Sequence, residues 1–348
     1  MSHLAVQFSI IVPIYNAEKT IRRTLERIAE LDFTDYECIL VNDGSTDKTA
    51  EIIQSFVEEH PQFRMETVAN GGPGHARNRG IELAEGEYLL FFDADDHPAP
   101  NLLRRYQALL QEDPKLDLII SSFVFSEIQG TRVLREQPYL LTDKQYQSQA
   151  EFLDDLYELM NQQFLYVVWN KCYRRDIIQK HVIRFKNYRS CEDRLFNLDY
   201  FQYCQSVRLN SEIAYYYEFG SGEGLTNRYA SEKFATFKEF YQRTKDVSQN
   251  RNVDGTAALF LKGTVSTIFS ILETNQLSSK EKKDQINQIL RDSSVLEAKK
   301  IARTDSRGKQ ITKMLFGLPN GIFYTGLKLG SIIEVKFPKV MGMLKQKY

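Results

Sequence analysis

Asp93-Ala94-Asp95 puts two carboxylates on the same side of an extended segment, because side chains alternate with a period of two. Hard divalent cations such as Mg2+ and Mn2+ take oxygen ligands, commonly one or two carboxylates with substrate phosphates completing the shell. A cation held there can bridge a diphosphate and neutralise the charge that grows as it departs. The spacing alone is common, and a solvated turn after a strand would also produce it. Crowding is the better signal: the apolar run ending at Phe92 delivers Asp93, Asp95 and Asp96 to one spot, and carboxylates so placed repel one another unless a cation is present. Asp43, in Asn42-Asp43-Gly44-Ser45, suits a turn and helix cap, and equally an acceptor for a hydrogen bond from a nucleotide base.

The elements that must position these acids alternate. Phe8 to Val12 reads as a strand buried on both faces. Ile21, Thr24, Leu25, Ile28 and Leu31 follow at helical spacing. Tyr36 to Val41 is a second strand, after which Ser45 or Thr46 is expected to cap a helix with Asp47 in its first turn. Phe63 to Ala69 is a third strand, and Asn70-Gly71-Gly72-Pro73-Gly74 leads to a helix expected to stop at Gly86. Glu87 to Phe92 is a fourth strand. Such alternation predicts an α/β fold with a mainly parallel sheet covered on both faces, whose ligands bind beyond the carboxyl ends of the strands. Asn42-Asp43 and Asp93-Asp95 both fall at those ends, so one crevice is expected to hold them. Later, Leu118 to Phe125 reads as a strand, Tyr139 to Met160 as partly helical, and Val207 to Tyr217 as a strand pair. Helical spacing returns from Tyr229 to about Arg303, which puts a boundary near Asn227.

The pieces Ile11-Val12-Pro13-Ile14-Tyr15-Asn16, Val41-Asn42-Asp43-Gly44-Ser45-Thr46-Asp47, Gly74-His75-Ala76-Arg77-Asn78-Arg79-Gly80, and Gly86-Glu87-Tyr88 running to Phe92-Asp93-Ala94-Asp95-Asp96 stand in a specific order. In that order and spacing the chain resembles family 2 of the inverting glycosyltransferases, of the bacterial surface-polysaccharide type. The resemblance implies a GT-A fold: a doubly wound mixed sheet with helices on both faces, here followed by a helical C-terminal region. It implies a metal-dependent enzyme moving a sugar from a UDP-sugar donor to a glycan or lipid-linked acceptor. Pro13, Tyr15 and Asp43 should surround the base, with Asn16 beside them, and Arg77 should shape the diphosphate side. Asp93 should lie near ribose or metal, and Asp95 should ligate Mn2+ or Mg2+.

Cys191-Glu192-Asp193-Arg194-Leu195-Phe196, preceded by Trp169-Asn170-Lys171, resembles the later Glu-Asp element of bacterial members. Direct inversion needs a carboxylate to take the acceptor proton. Asp193 is the expected base, with Glu192 supporting it or contacting the acceptor; the plain alternative is an acidic first turn of an amphipathic helix. Where related proteins carry a basic residue able to reach the diphosphate, this chain has Glu218, Phe219 and Gly220, and Arg228 is the nearest substitute. His75 and His97 are set aside as turn histidines.

Composition and charge narrow the setting. The chain has 348 residues, 42% hydrophobic and 26% charged, with a net charge of -1. Arg307 to Tyr348 holds seven lysines and one arginine against Glu334 alone, so that segment carries +7 and the remainder -8. A basic end on an acidic body points to an anionic surface as partner, and the body offers no stripe suited to nucleic acid. Cys38, Cys172, Cys191 and Cys204 form no CxxC pair, as expected in a reducing compartment. The uncharged stretch between Lys313 and Lys328 would make a helix of about 21 Å, short of the ~30 Å hydrocarbon core. It is expected instead to lie in the interface of a membrane, or else to pack on protein. The sequence thus divides into a catalytic domain, 1–227, a helical region, 228–306, and a basic amphipathic tail, 307–348. The expected location is the cytoplasm, peripherally on the inner face of the cell membrane.

Two other functions share parts of this pattern. A sugar nucleotidyltransferase needs a glycine-rich basic loop after the first strand, and Pro13-Ile14-Tyr15-Asn16 offers none. A non-catalytic nucleotide-sugar-binding scaffold would not need the complete set of acids.

Overall fold

Strand β1 (Phe8–Ile14) has every residue but Pro13 buried, as a continuous apolar run between two helical layers should. It pairs in parallel with β2 (Tyr36–Asn42) on one side and β4 (Tyr88–Phe91) on the other, and β3 (Phe63–Thr67) extends the sheet beyond β2. Helices α1 (Ile21–Ala29), α2 (Thr49–Glu59) and α3 (Pro73–Leu83) make the crossovers. The computed structural model describes residues 6–130, 132–188, 191–220, 229–319 and 321–327. Its chain forms two compact units, Met1–Gly222 and Glu223–Tyr348.

The first unit continues with β5 (His97–Pro98), α4 (Leu102–Glu112), β6 (Leu118–Gln129), β7 (Arg132–Tyr139), β8 (Lys144–Tyr146), α5 (Gln149–Asn161), β9 (Lys171–Arg174), α6 (Arg175–Lys180), α7 (Glu192–Phe201) and β10 (Val207–Gly220). The sheet runs β3-β2-β1-β4-β9-β6-β10-β5, with β7 on β6 and β8 on β10. It is mixed because β9 enters antiparallel between β4 and β6. Helix α3 sits unusually close to the sheet: a Cβ on Gly80 would lie 2.3 Å from Ile11 Cγ2.

Four local expectations change. Helix α2 starts at Thr49 behind Lys48, so neither Ser45 nor Thr46 caps it. Those residues instead join the loop after β1, Ser45 Oγ accepting from Asn16 N at 3.0 Å and Thr46 N donating to Asn16 Oδ1 at 2.8 Å. Helix α3 begins inside the glycine-rich loop with Pro73 in its first turn and ends at Leu83. Gly86 serves a different purpose, since a Cβ there would lie 2.6 Å from Ser9 N where the chain crosses β1. Finally, Val207 to Gly220 is one strand rather than two. Its polar Asn210-Ser211-Glu212 is a register irregularity, not a turn, and such an irregularity re-aims the residues beyond it.

The second unit is helical: α8 (Lys233–Val247), α9 (Val253–Glu273), α10 (Ser279–Arg291), α11 (Ser293–Ile301) and α12 (Arg307–Gly317). Ser278 and Glu281 form a reciprocal cap at the start of α10. Helix α9 is long and apolar enough to cross a membrane, yet 61% of that stretch is buried, as in a core helix. Helix α12 turns Gly308, Thr312 and Phe316 inward. Ile311, Met314, Leu318 and Ile322 remain exposed, at 44%, 70%, 36% and 57%. The tail from Lys328 to Tyr348 lies outside the described residues.

Candidate active site

The acidic turn after β4 is fixed residue by residue. Asp93 N donates to Tyr215 Oη at 2.9 Å, Ala94 O accepts from Thr24 Oγ1 at 3.1 Å, and Asp95 O accepts from Arg23 Nη2 at 3.5 Å. Asp96 Oδ1 accepts the Glu218 N–H at 2.8 Å. Helix α1 and strand β10 therefore hold the turn from two sides. Burial, then the charges of Asp93 and Glu218, push the Asp95 carboxyl up to about 6, with Arg23 opposing. Asp96, buried beside Asp95 and Asp93, is likewise held well above the usual carboxylate range, chiefly by burial. Negative charge is in excess here, as a cation site requires. Among the described residues no three His, Cys, Asp or Glu side chains converge as a metal cage. The protein offers the Asp93–Asp95 pair, which suits a cation completed by phosphate oxygens.

Arg77 projects from α3 into the same region and is buried. Its Nη2 donates to Asp93 Oδ1 at 2.8 Å and its Nη1 to Asp193 Oδ1 at 3.1 Å, with Glu192 Oε1 at 3.6 Å. The guanidinium also lies over the Phe185 ring, 5.4 Å from its centroid. The resemblance expects Arg77 to shape the diphosphate side; in the structure its hydrogen bonds go to the carboxylates of Asp93 and Asp193. One cation thus joins the tip of β4 to the first turn of α7. Asp193 is pushed up to about 7, chiefly by burial; Arg77 opposes this, Glu192 and Asp93 add to it, and Lys171 opposes it.

Lys171 is wholly buried, and Nζ donates to Phe164 O and Asn170 Oδ1 at 2.8 Å each, and to Val167 O. Asn197 Nδ2 binds Leu165 O and Val167 O at 3.0 Å each. Trp169-Asn170-Lys171 and α7 together pin the segment before β9 beside Asp193.

On the other flank, Asp43 accepts the Gly71 N–H at 2.9 Å and the Gly72 N–H at 2.8 Å. Gly72 has φ +89°, open to glycine and strained for other residues. These amides open α3, so a single helix connects Asp43, through its N-terminus, to Asp93, through Arg77. Asp43 is almost fully buried and first of all a loop anchor; each carboxylate oxygen retains a second lone pair for a ligand. Tyr15 is exposed beside Asn16, and Pro13 lies within β1 and is half-buried.

Sequence reasoning missed the cluster around Glu218. Glu218 forms an ion pair with Arg23, and His97 Nδ1 lies 3.1 Å from its other oxygen. His97 also stacks on Tyr216 at 4.8 Å. The signal was present as an acid standing where related chains carry a base. His75 stays half-exposed, 3.7 Å from Asp43. Arg228 lies outside the described residues, as does the 221–227 segment.

Residues 9–182 match the family model for glycosyl transferase family 2. The uncharacterized glycosyltransferase EpsJ of Bacillus subtilis is 31% identical over 60% of this chain and 60% of its own length. The uncharacterized glycosyltransferase YibD of Escherichia coli is 34% identical over 51% of this chain and 52% of its own. The chain thus spans little more than half the length of these relatives. The poly(ribitol-phosphate) beta-N-acetylglucosaminyltransferase TarS of Staphylococcus aureus is 30% identical over 65% of this chain and 38% of its own. A crystal structure of TarS residues 1–349 with UDP-GlcNAc superposes with a TM-score of 0.67 at 21% identity, covering 95% of this chain and 91% of that one. That likeness shows the fold: a GT-A type mixed sheet followed by a helical region.

Proposed function

The chain belongs to glycosyl transferase family 2, and from that premise we propose that it moves a sugar from a UDP-sugar to a glycan or lipid-linked acceptor with inversion at the anomeric carbon. The observation that carries this reading is the Arg77 bridge, which sets the acid assigned to the donor side, Asp93, and the acid assigned as base, Asp193, on one guanidinium. Asp193 accepts the proton of the acceptor hydroxyl. A carboxyl near 7 is matched to that task, being half deprotonated near neutrality and more basic than an ordinary aspartate. Glu192 keeps the local charge negative, and Arg77 holds both acids in place.

Asp93 and Asp95 would hold Mn2+ or Mg2+, which supplies charge neutralisation for the departing diphosphate. Pro13, Tyr15, Asn16 and Asp43 are assigned to the nucleotide, and the UDP-GlcNAc complex of TarS supports uracil as its base. Incubation with a panel of UDP-sugars and Mn2+, scoring UDP released, tests the reading. Absence of metal-dependent release from every donor would refute it.

Catalysis is assigned to residues 1–227, with 228–306 as the helical region and 307–348 as a tail that seats the enzyme on an anionic membrane surface, on its cytoplasmic face. The exposed apolar residues of α12 and of 318–322, beside Arg307, Lys309 and Lys313, support that seat. Apolar contact and attraction to anionic lipid act together in such segments.

A further inference from the structure

Beyond β1 and β2 the chain makes two loops, and the amides of the first are received one by one by side chains of the second. Asn16 N donates to Ser45 Oγ at 3.0 Å, Ala17 N to Thr49 Oγ1 at 2.8 Å and Glu18 N to Asp47 Oδ2 at 3.2 Å. The exchange is reciprocal: Thr46 N donates to Asn16 Oδ1 at 2.8 Å and Lys48 N to Glu18 Oε2 at 3.2 Å. Asp47 is itself set by the Thr49 amide, which donates to its Oδ1 at 3.0 Å. Asn16 takes φ +49°, a left-handed conformation that asparagine tolerates better than most side chains.

This clasp sits beyond the carboxyl ends of two neighbouring parallel strands, where open α/β sheets bind ligands. It joins the loop of Tyr15, 52% exposed, to the loop of Asp43, whose amide donates to Ile14 O at 2.8 Å. Three successive amides filled by side-chain oxygens are closed to a phosphate, so the first loop is no anion nest. Thr49 opens α2 and is 0% exposed, and its hydroxyl oxygen serves a residue 32 positions earlier in the chain. A side chain buried in this way touches no ligand. Whatever Thr49 does for one, it does through residues 15–18.

We propose that Thr49, with Ser45 and Asp47, is a positioning residue for nucleotide binding: it holds the 15–18 loop so that Tyr15 is already in place, opposite the loop of Asp43, when the donor arrives. A loop fixed in its bound shape spares the ordering cost that binding would otherwise carry. The hydroxyl at position 49 matters as an acceptor, so serine can replace threonine there and valine, of the same shape, cannot. The inference rests on the assignment of Tyr15 and Asp43 to the nucleotide, and adds in Thr49 a residue that never meets it.

The full chain is titrated by calorimetry with UDP and Mn2+, well below its melting midpoint. Thr49→Val should bind UDP roughly tenfold more weakly, since the loop must then be ordered with a buried amide unmet. Thr49→Ser should stay within about twofold of the parent, and Ser45→Ala, which removes a second acceptor, should weaken binding roughly threefold or more. With a UDP-sugar that the parent turns over, Thr49→Val should raise KM by a similar factor and leave kcat within about twofold, a split that general loosening of the fold does not produce. The proposal is overturned if Thr49→Val or Ser45→Ala binds UDP as the parent does, if Thr49→Ser is as weak as Thr49→Val, or if kcat falls while KM holds. Should Thr49→Val fail to fold, Ser45→Ala and Thr49→Ser decide alone. A parent that binds no UDP strikes the transfer reading and this proposal together, whereas a parent that binds it beside variants that bind it equally strikes the proposal alone.

Discussion

The Arg77 guanidinium lies 3.1 Å from the Asp193 carboxylate, across 116 positions of chain. It reaches there because α3 sits close on β1, where Gly80 faces Ile11, and because α7 presents its acidic first turn to the same point. With Asp93 on its other side, Arg77 forms ion pairs with three acids, Asp93, Glu192 and Asp193. Arg77→Met would leave them crowded around a neutral side chain. A loss of about 3 kcal/mol is expected, the lower end for breaking a buried pair because the acids keep some solvent. Thermal melting reads it, and an unchanged midpoint would contradict the bridging role.

Asp193→Asn should retain UDP binding and lower transfer on the order of 10²–10⁴-fold, the usual worth of a general base. Because the parent carboxyl sits at about 7, kcat/KM should rise with pH and level off above that value. The stability linkage has the opposite sense. The folded chain holds this proton more tightly than the unfolded one, so its contribution is present at low pH and lost as pH climbs from ~4 through about 7. A pH–rate profile with no limb near neutrality, or one that survives in Asp193→Asn, would remove Asp193 as base.

Asp95→Asn should abolish metal-dependent donor turnover while leaving the fold intact. Its metal-free melting temperature at pH 7.5 should equal or exceed the parent's, because the substitution relieves repulsion from Asp93 and Glu218. UDP with Mn2+ should raise the parent's midpoint and leave the variant's unmoved, since a ligand that binds only the folded state stabilises it. Parent-like turnover in Asp95→Asn would exclude Asp95 from the mechanism.

Met314→Glu combined with Ile322→Glu places charge in the exposed apolar stripe. Co-sedimentation with anionic vesicles should fall at least tenfold, and the parent's binding should weaken with salt. Donor hydrolysis in solution should not change. Undiminished sedimentation of the double variant, or of a chain ending near Arg303, would dismiss this seat.

The first half of the sheet was legible because strands covered on both faces write themselves as unbroken apolar runs, and α1 because its buried residues fall every three or four positions. Strand β9 was not. It opens on Lys171, a residue whose burial is possible only because carbonyls from 164 and 167 and the Asn170 amide receive its ammonium. No local pattern announces acceptors supplied by a loop. The acids of the candidate site were legible as types at strand ends, whereas the pairing of Arg77 with Glu192 and Asp193 was not, because those two lie in a helix brought close only by the mixed sheet. Glu218 stood out as a departure from the family's pattern, and its partners, Arg23 and His97, come from elements that sequence spacing does not relate.

Gly80 has no side chain to bond with and its carbonyl only accepts the Ala84 N–H that closes α3, yet it governs the acids through thickness. A single methyl at position 80 would be driven into Ile11 and would lift α3 off the sheet. Arg77, one turn earlier on that helix, would be displaced with it, separating Asp93 from Asp193. An alanine scan of residues that ignores glycines would overlook this spacer.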